Sequence, residues 1–167
     1  MKPIPFILYG GDTCQDGTQL GIESLRRTKT ALRFIRENRF RIDYMLIGPG
    51  INPDEPDYPL LKLVMYRYLK KFPVLPPIII VEEDAWGTFK ETLVLYTELA
   101  SCNENEVFIC SSWYHIPRIR FIWWIIAEDK IKIHVVKAPS PQWKSVLREI
   151  PAFIKVFYDW YKWKRTP

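Results

Sequence analysis

Residues 107–136 read VFICSSWYHIPRIRFIWWIIAEDKIKIHVV, and this stretch decides the fold. Val107 to Cys110 is a short run of β-branched and aromatic residues that predicts a strand. Ile116 to Glu128 carries apolar residues at helical spacing, and Ile131 to Val136 returns to a strand pattern. Two strands joined through a helix run parallel, with a right-handed crossover.

The same alternation continues on both sides. Strands are predicted at Ile4 to Tyr9, Tyr44 to Ile47 and Ile78 to Val81; helices are predicted at Ile22 to Asn38, Tyr58 to Phe72, Thr88 to Ser101 and Trp143 to Lys164. Pro151 marks a break or kink in the last of these. Five units in succession predict an α/β fold: a three-layer αβα sandwich of Rossmann-like type, with about five parallel strands and helices on both faces. Its strand order is open between 3-2-1-4-5 and a near relative. The 167 residues fit one domain over 1–167, and 48% hydrophobic with 26% charged residues is a globular balance that excludes disorder and coiled coils.

No run approaches the ~20 apolar residues of a membrane-spanning helix. The N-terminus MKPIPFILYGG reads as a first strand rather than a signal peptide, so a cytoplasmic or membrane-peripheral chain is expected. Cys14, Cys102 and Cys110 are an odd number without CxxC spacing, which argues against a disulfide framework and suits a reducing compartment. With His115 and His134 as the only histidines, no metal site is expected, although a carboxylate-held magnesium stays open.

The net charge of +5 sits mostly at one end: residues 143–167 hold 6 basic and 2 acidic groups, the rest 18 and 17. Ile150, Phe153, Ile154, Phe157 and Tyr161 form a stripe by which a last helix docks on its own sheet. Val156, Trp160 and Trp163 form a narrower stripe that this docking leaves outside, a candidate contact for a second copy or a membrane surface. A near-neutral body with a short basic tail is a poor footprint for nucleic acid.

Open parallel sheets bind ligands beyond the carboxyl ends of their strands. The turns there are Gly10-Gly11-Asp12-Thr13, Gly48-Pro49-Gly50, Glu82-Glu83-Asp84 and Ser111-Ser112. In EEDAWGTFKET, Thr88 and Glu91 fall in the first turn of a helix, where Asp84 or Thr88 can act as a cap and Glu91 can offset the dipole. SSWYHIPRIR offers more. Ser111 and Ser112 supply hydroxyls, while His115 and Arg118, three apart, share a helix face, which together make an inventory for binding phosphate or carboxylate. GxSxG, Walker and GxGxxG patterns are missing.

Taken in order, these turns resemble the YdcF/SanA/ElyC-like family of α/β domains. The carriers are ILYGG with Arg27 and Ala31; Glu82 and then Thr88 and Glu91 in the DAWGTFKET block; and SSWYHIPR with Ser111, Ser112, His115 and Arg118. Glu149 looks like a further family glutamate, whereas Ala85, Gly87 and Thr92 depart from the pattern. The resemblance implies a Rossmann-like domain with links to S-adenosylmethionine binding and cell-envelope biogenesis.

Two functions follow as expectations. The first is binding, with or without turnover, of a phosphorylated or nucleotide-like small molecule. His115 would be acid or base, and Glu91 would orient it or hold a cation. Gly10, Gly11, Asp12, Arg27, Glu82, Thr88, Ser111, Ser112 and Arg118 would contact the small anionic ligand, with S-adenosylmethionine or a phosphorylated compound in the cofactor position. The second is a non-enzymatic, membrane-peripheral envelope factor acting through the aromatic-basic last helix, with Trp160 and Trp163 meeting a membrane or a second copy.

Overall fold

A computed structural model describes residues 2–11, 18–48, 61–73, 75–81, 83, 85, 87–140 and 143–165, the side chains of 143–145 excepted. Five parallel strands, β1 (Ile4–Leu8), β2 (Ile42–Ile47), β3 (Ile78–Ile80), β4 (Glu106–Ser112) and β5 (Lys132–Ala138), form one sheet in the order β3-β2-β1-β4-β5. The helices are α1 (Ile22–Glu37), α2 (Leu61–Leu69), α3 (Gly87–Ser101), α4 (Ile116–Ala127) and α5 (Trp143–Arg165). The order reverses between β1 and β4, and it is beside such a switch point that open parallel sheets hold their ligands.

β1 is central and buried along its whole length, so its sequence IPFIL is apolar throughout instead of alternating. Pro5 has no amide to give a ladder, and the β1–β2 register shifts between Ile4 and Phe6. Alternate residues then feed two cores. Phe6 and Leu8 pack with Ala31 and Ile35 of α1 and with Met65 and Leu69 of α2. Ile7 and Tyr9 pack with Leu95 and Leu99 of α3 and with Ile119 and Trp123 of α4. This is the three-layer Rossmann-like arrangement the βαβ periodicity predicts.

α5 removes the break from the two alternatives at Pro151 and corrects the expected docking face. It runs unbroken through Pro151. The carbonyl that loses its partner there belongs to Leu147, which is exposed and able to bond water. The helix also docks by its other stripe: Val156 is buried against Phe89, Ile122 and Ile126, Trp160 packs beside it, and Trp163 meets the Phe89 ring edge-on at 6.1 Å. Ile150, Ile154, Phe157 and Tyr161 remain exposed. The physical reason is that α5 lies on the outside of α3 and α4, whose aromatic outer surface fits the indole-bearing side.

Candidate functional site

The carboxyl end of β4 and the N-terminal turn of α4 carry the site. β4 extends through Ser112, whose carbonyl accepts the backbone N–H of His115, and Pro117 then occupies a first-turn position of α4 where a missing N–H costs nothing. Ser111 and Ser112 point to opposite faces, as neighbours in a strand do.

On the α1 side, Arg27 is buried, donates to two acceptors and approaches a third group. Nε donates to Ser112 Oγ at 2.8 Å, Nη1 donates to the Gly10 carbonyl, and Nη2 lies 3.5 Å from His115 Nδ1. Ser112 in turn donates to Glu23 at 2.6 Å, and Ser140 donates to the other Glu23 oxygen. Burial works to raise the Glu23 pKa, but those two hydroxyls and the Arg27 charge outweigh it and hold the carboxyl below its ordinary value.

On the α3 side, His115 Nε2 lies 2.8 Å from Arg118 Nη2 and 3.2 Å from Thr88 Oγ1. Both imidazole nitrogens therefore face guanidinium donors. Burial first, then the Arg118 and Arg27 charges, drive the His115 pKa well below its ordinary value, so the ring is neutral at physiological pH. The shorter Arg118 contact assigns Nε2 as the acceptor and leaves the proton on Nδ1. Arg118 also pairs with Glu149 of α5: Nη2 donates to Oε1 at 3.2 Å, while Nε approaches Oε2 at 3.0 Å off the hydrogen-bonding angle.

Glu91 is buried at the β2 end. Its Oε1 has no hydrogen-bond partner among the described residues, and burial pushes its pKa up to about 7 against the pull of Arg27, Arg118 and the Gly10 amide. It is not the solvated first-turn carboxylate of a capping box. Gly48 makes its position reachable, since a methyl at that residue would overlap Oε1 and come within 3.4 Å of the Leu8 carbonyl. Gly48→Ala is expected to cost about 1–3 kcal/mol as an overpacking change. Glu91→Ala in the same chain should recover part of that loss, and non-additivity in a melting-based double-mutant cycle checks the contact.

A buried relay supports α3 from behind. Trp123 Nε1 donates to the Tyr9 hydroxyl at 3.0 Å, Tyr9 meets Thr92 Oγ1 at 2.9 Å, and Thr92 donates to the Thr88 carbonyl at 2.7 Å. The turn that presents Thr88 to His115 is thus tied to the core. Thr92 has this structural task.

Of the residues singled out from the sequence, Gly10, Arg27, Thr88, Glu91, Ser112, His115 and Arg118 come together. Gly11 instead donates its amide to Ser24 Oγ at 3.0 Å and starts the turn toward α1. Ser111 Oγ is buried, without a partner among the described residues, on the face opposite Ser112. Asp12 and Glu82 lie outside the described residues, as do Asp84, Pro49 and Gly50.

No family model, curated protein or solved structure matches this chain. The chemistry of the rim therefore has to carry any functional reading. Among the described residues no three His, Cys, Asp or Glu side chains converge as a metal-holding group, and the charges of Arg27 and Arg118 act on Glu91. A separate groove of 560 Å³ between α1 and α2, lined by Lys29, Leu32, Arg36, Tyr68 and Phe72 among others, sits toward the C-terminal ends of those helices and away from the rim.

Glu23 and Ser140 do not stand out in the sequence-based reading of the site. Glu23 had one legible signal, its position four residues before Arg27 on the same helix face. Ser140 had none, because only the β4–β5 pairing brings it to α1.

Proposed function

We propose that the rim binds a phosphorylated or nucleotide-like small molecule through its anionic group, between Arg27 and Arg118 and beside His115. The observation that carries this reading is one buried, neutral imidazole contacted on both nitrogens by guanidinium groups. Two cations confined against a neutral ring form an arrangement that an oxyanion stabilises by charge-assisted hydrogen bonds. The Glu91 oxygen and Ser111 hydroxyl, unpartnered among the described residues, add buried polar capacity at the same end of the sheet. The order of these residues along the chain also follows the YdcF/SanA/ElyC-like pattern.

In a phosphoester hydrolysis or transfer, the unprotonated Nε2 of His115 would take a proton from an attacking hydroxyl once the bound anion has drawn Arg118 away from it. Glu91, poised near 7, is a second group able to exchange a proton there. A cytoplasmic, reducing setting suits the exposed thiol of Cys102.

Titration calorimetry with inorganic phosphate, adenosine monophosphate and S-adenosylmethionine tests the proposal. Wild-type protein should bind at least one of them, and Arg118→Ala should weaken that binding about tenfold or more, the scale of a charged hydrogen bond. Glu149→Gln should tighten it, because the carboxylate competes for the same guanidinium. If no compound binds, or if folded Arg118→Ala and His115→Ala both bind as wild type does, the assignment is wrong.

A further inference from the structure

The docking of α5 leaves an apolar face without a partner. Leu147, Ile150, Ile154, Phe157, Tyr158 and Tyr161 are all about half exposed or more, with Ile150 and Ile154 at 64% and 68%. At 3.6 residues per turn they fall within an arc of about 100°. The surface continues onto α4, where Phe121 stacks on Phe153 at 5.1 Å and meets Phe157 at 5.1 Å and Trp124 at 6.0 Å in tilted contacts, and Trp124 is itself 58% exposed. An aromatic and aliphatic face of this kind marks an interaction site, not an ordinary solvated helix.

The charges beside it choose the occupant. Arg148, Lys155 and Lys162 recur every seven residues, which puts them in one exposed row along the edge of the apolar arc, and Lys164 and Arg165 follow in the last turn. Lys162 lies over the Tyr158 ring and Arg165 over the Tyr161 ring, at 4.9 and 4.2 Å. The helix has two carboxylates, and both are committed: Glu149 to Arg118 and Asp159 to Lys155. A pairing of two α5 faces, parallel or antiparallel, would set one cation row against another with no uncommitted carboxylate on either helix.

We propose that this face docks on an anionic lipid bilayer, with α5 lying in the plane of the interface. Its aliphatic and aromatic side chains would enter the headgroup boundary, Trp124 would sit at that level beside them, and the lysine and arginine heads would snorkel to lipid phosphates. The helix lies along the surface and does not cross: among the described residues no helix is long and apolar enough to span a membrane.

Co-sedimentation with vesicles of phosphatidylcholine alone and of phosphatidylcholine with phosphatidylglycerol tests this with the full chain. Binding is expected to the anionic vesicles only and to weaken as salt rises, because exposed charges are screened. Ile150→Glu/Ile154→Glu changes two exposed side chains, so it should keep the melting temperature while weakening vesicle binding about tenfold or more. Lys155→Gln/Lys162→Gln should weaken binding to anionic vesicles with the apolar face intact. Absence of binding at low salt overturns the proposal. So does a wild-type dimer, seen by light scattering, that the Ile150→Glu/Ile154→Glu chain loses.

Discussion

Arg27→Met is expected to lower the unfolding free energy by about 3–5 kcal/mol, the scale found when one partner of a buried charged network is removed. Arg27 is 3% exposed and Glu23 is 4% exposed, so the carboxylate left behind cannot regain its hydration. Methionine fills much of the volume but supplies none of the donors that now reach Ser112, Gly10 and His115. Arg27→Lys should recover only a minor part, since one ammonium cannot reproduce a planar fork that donates to both Ser112 and the Gly10 carbonyl. Urea denaturation at pH 7 measures both. A loss below about 1 kcal/mol for Arg27→Met would mean that water reaches the network, because hydrated charge pairs are worth that little.

Glu91→Gln should make stability less sensitive to pH on the alkaline side. The folded pKa of about 7 stands above the ordinary 4.5, so the unfolded chain releases this proton first. The stabilising contribution of the protonated group is therefore complete below 4.5, declines as pH rises, and is lost once pH passes about 7. Converted at 1.36 kcal/mol per unit, the difference amounts to about 3 kcal/mol. Glutamine keeps the shape of the neutral acid. The variant should match wild type near pH 4.5 and exceed it by up to that amount at pH 8 to 9.

His115 acts in the opposite direction. Its folded pKa is depressed below 6.5, so its contribution is present above 6.5 and lost as pH falls through that value toward the folded pKa. Melting curves from pH 4 to 9 on wild type, Glu91→Gln and His115→Gln separate the two groups. An offset between wild type and Glu91→Gln that is the same at every pH would show that Glu91 does not titrate in this range.

The fold was legible because each strand and helix announces itself locally. VFIC lacks polar alternation since both faces of the inner strand β4 are covered, IKIHVV alternates as suits the half-exposed edge strand β5, and the helix between them repeats its apolar residues every three or four positions. The candidate site was legible to the extent that its residues follow strands directly: Ser112, His115 and Arg118 are carried to the rim by the end of β4. Glu149 stood out only as part of a resemblance. Its pairing with Arg118 depends on where α5 is laid down, 31 residues further along the chain.

The last helix shows where local reading stops. Both of its stripes are apolar, and periodicity says that one will be buried without saying which. The stripe that packs is the one that fits Phe89, Ile122 and Ile126, and these residues form a surface only after α3 and α4 have been placed side by side on the sheet. The same holds for Gly48 and Glu91, which lie 43 positions apart and come into contact because β2 ends and α3 begins at the same rim. Element type, parallel sheet and the identity of the rim turns were written in the sequence, since they depend on side-chain period and turn chemistry within a few residues. Strand order, the docked face of α5 and the protonation of His115 and Glu91 were decided by tertiary structure alone, because each depends on the solvent and the charges that distant segments take away or bring near.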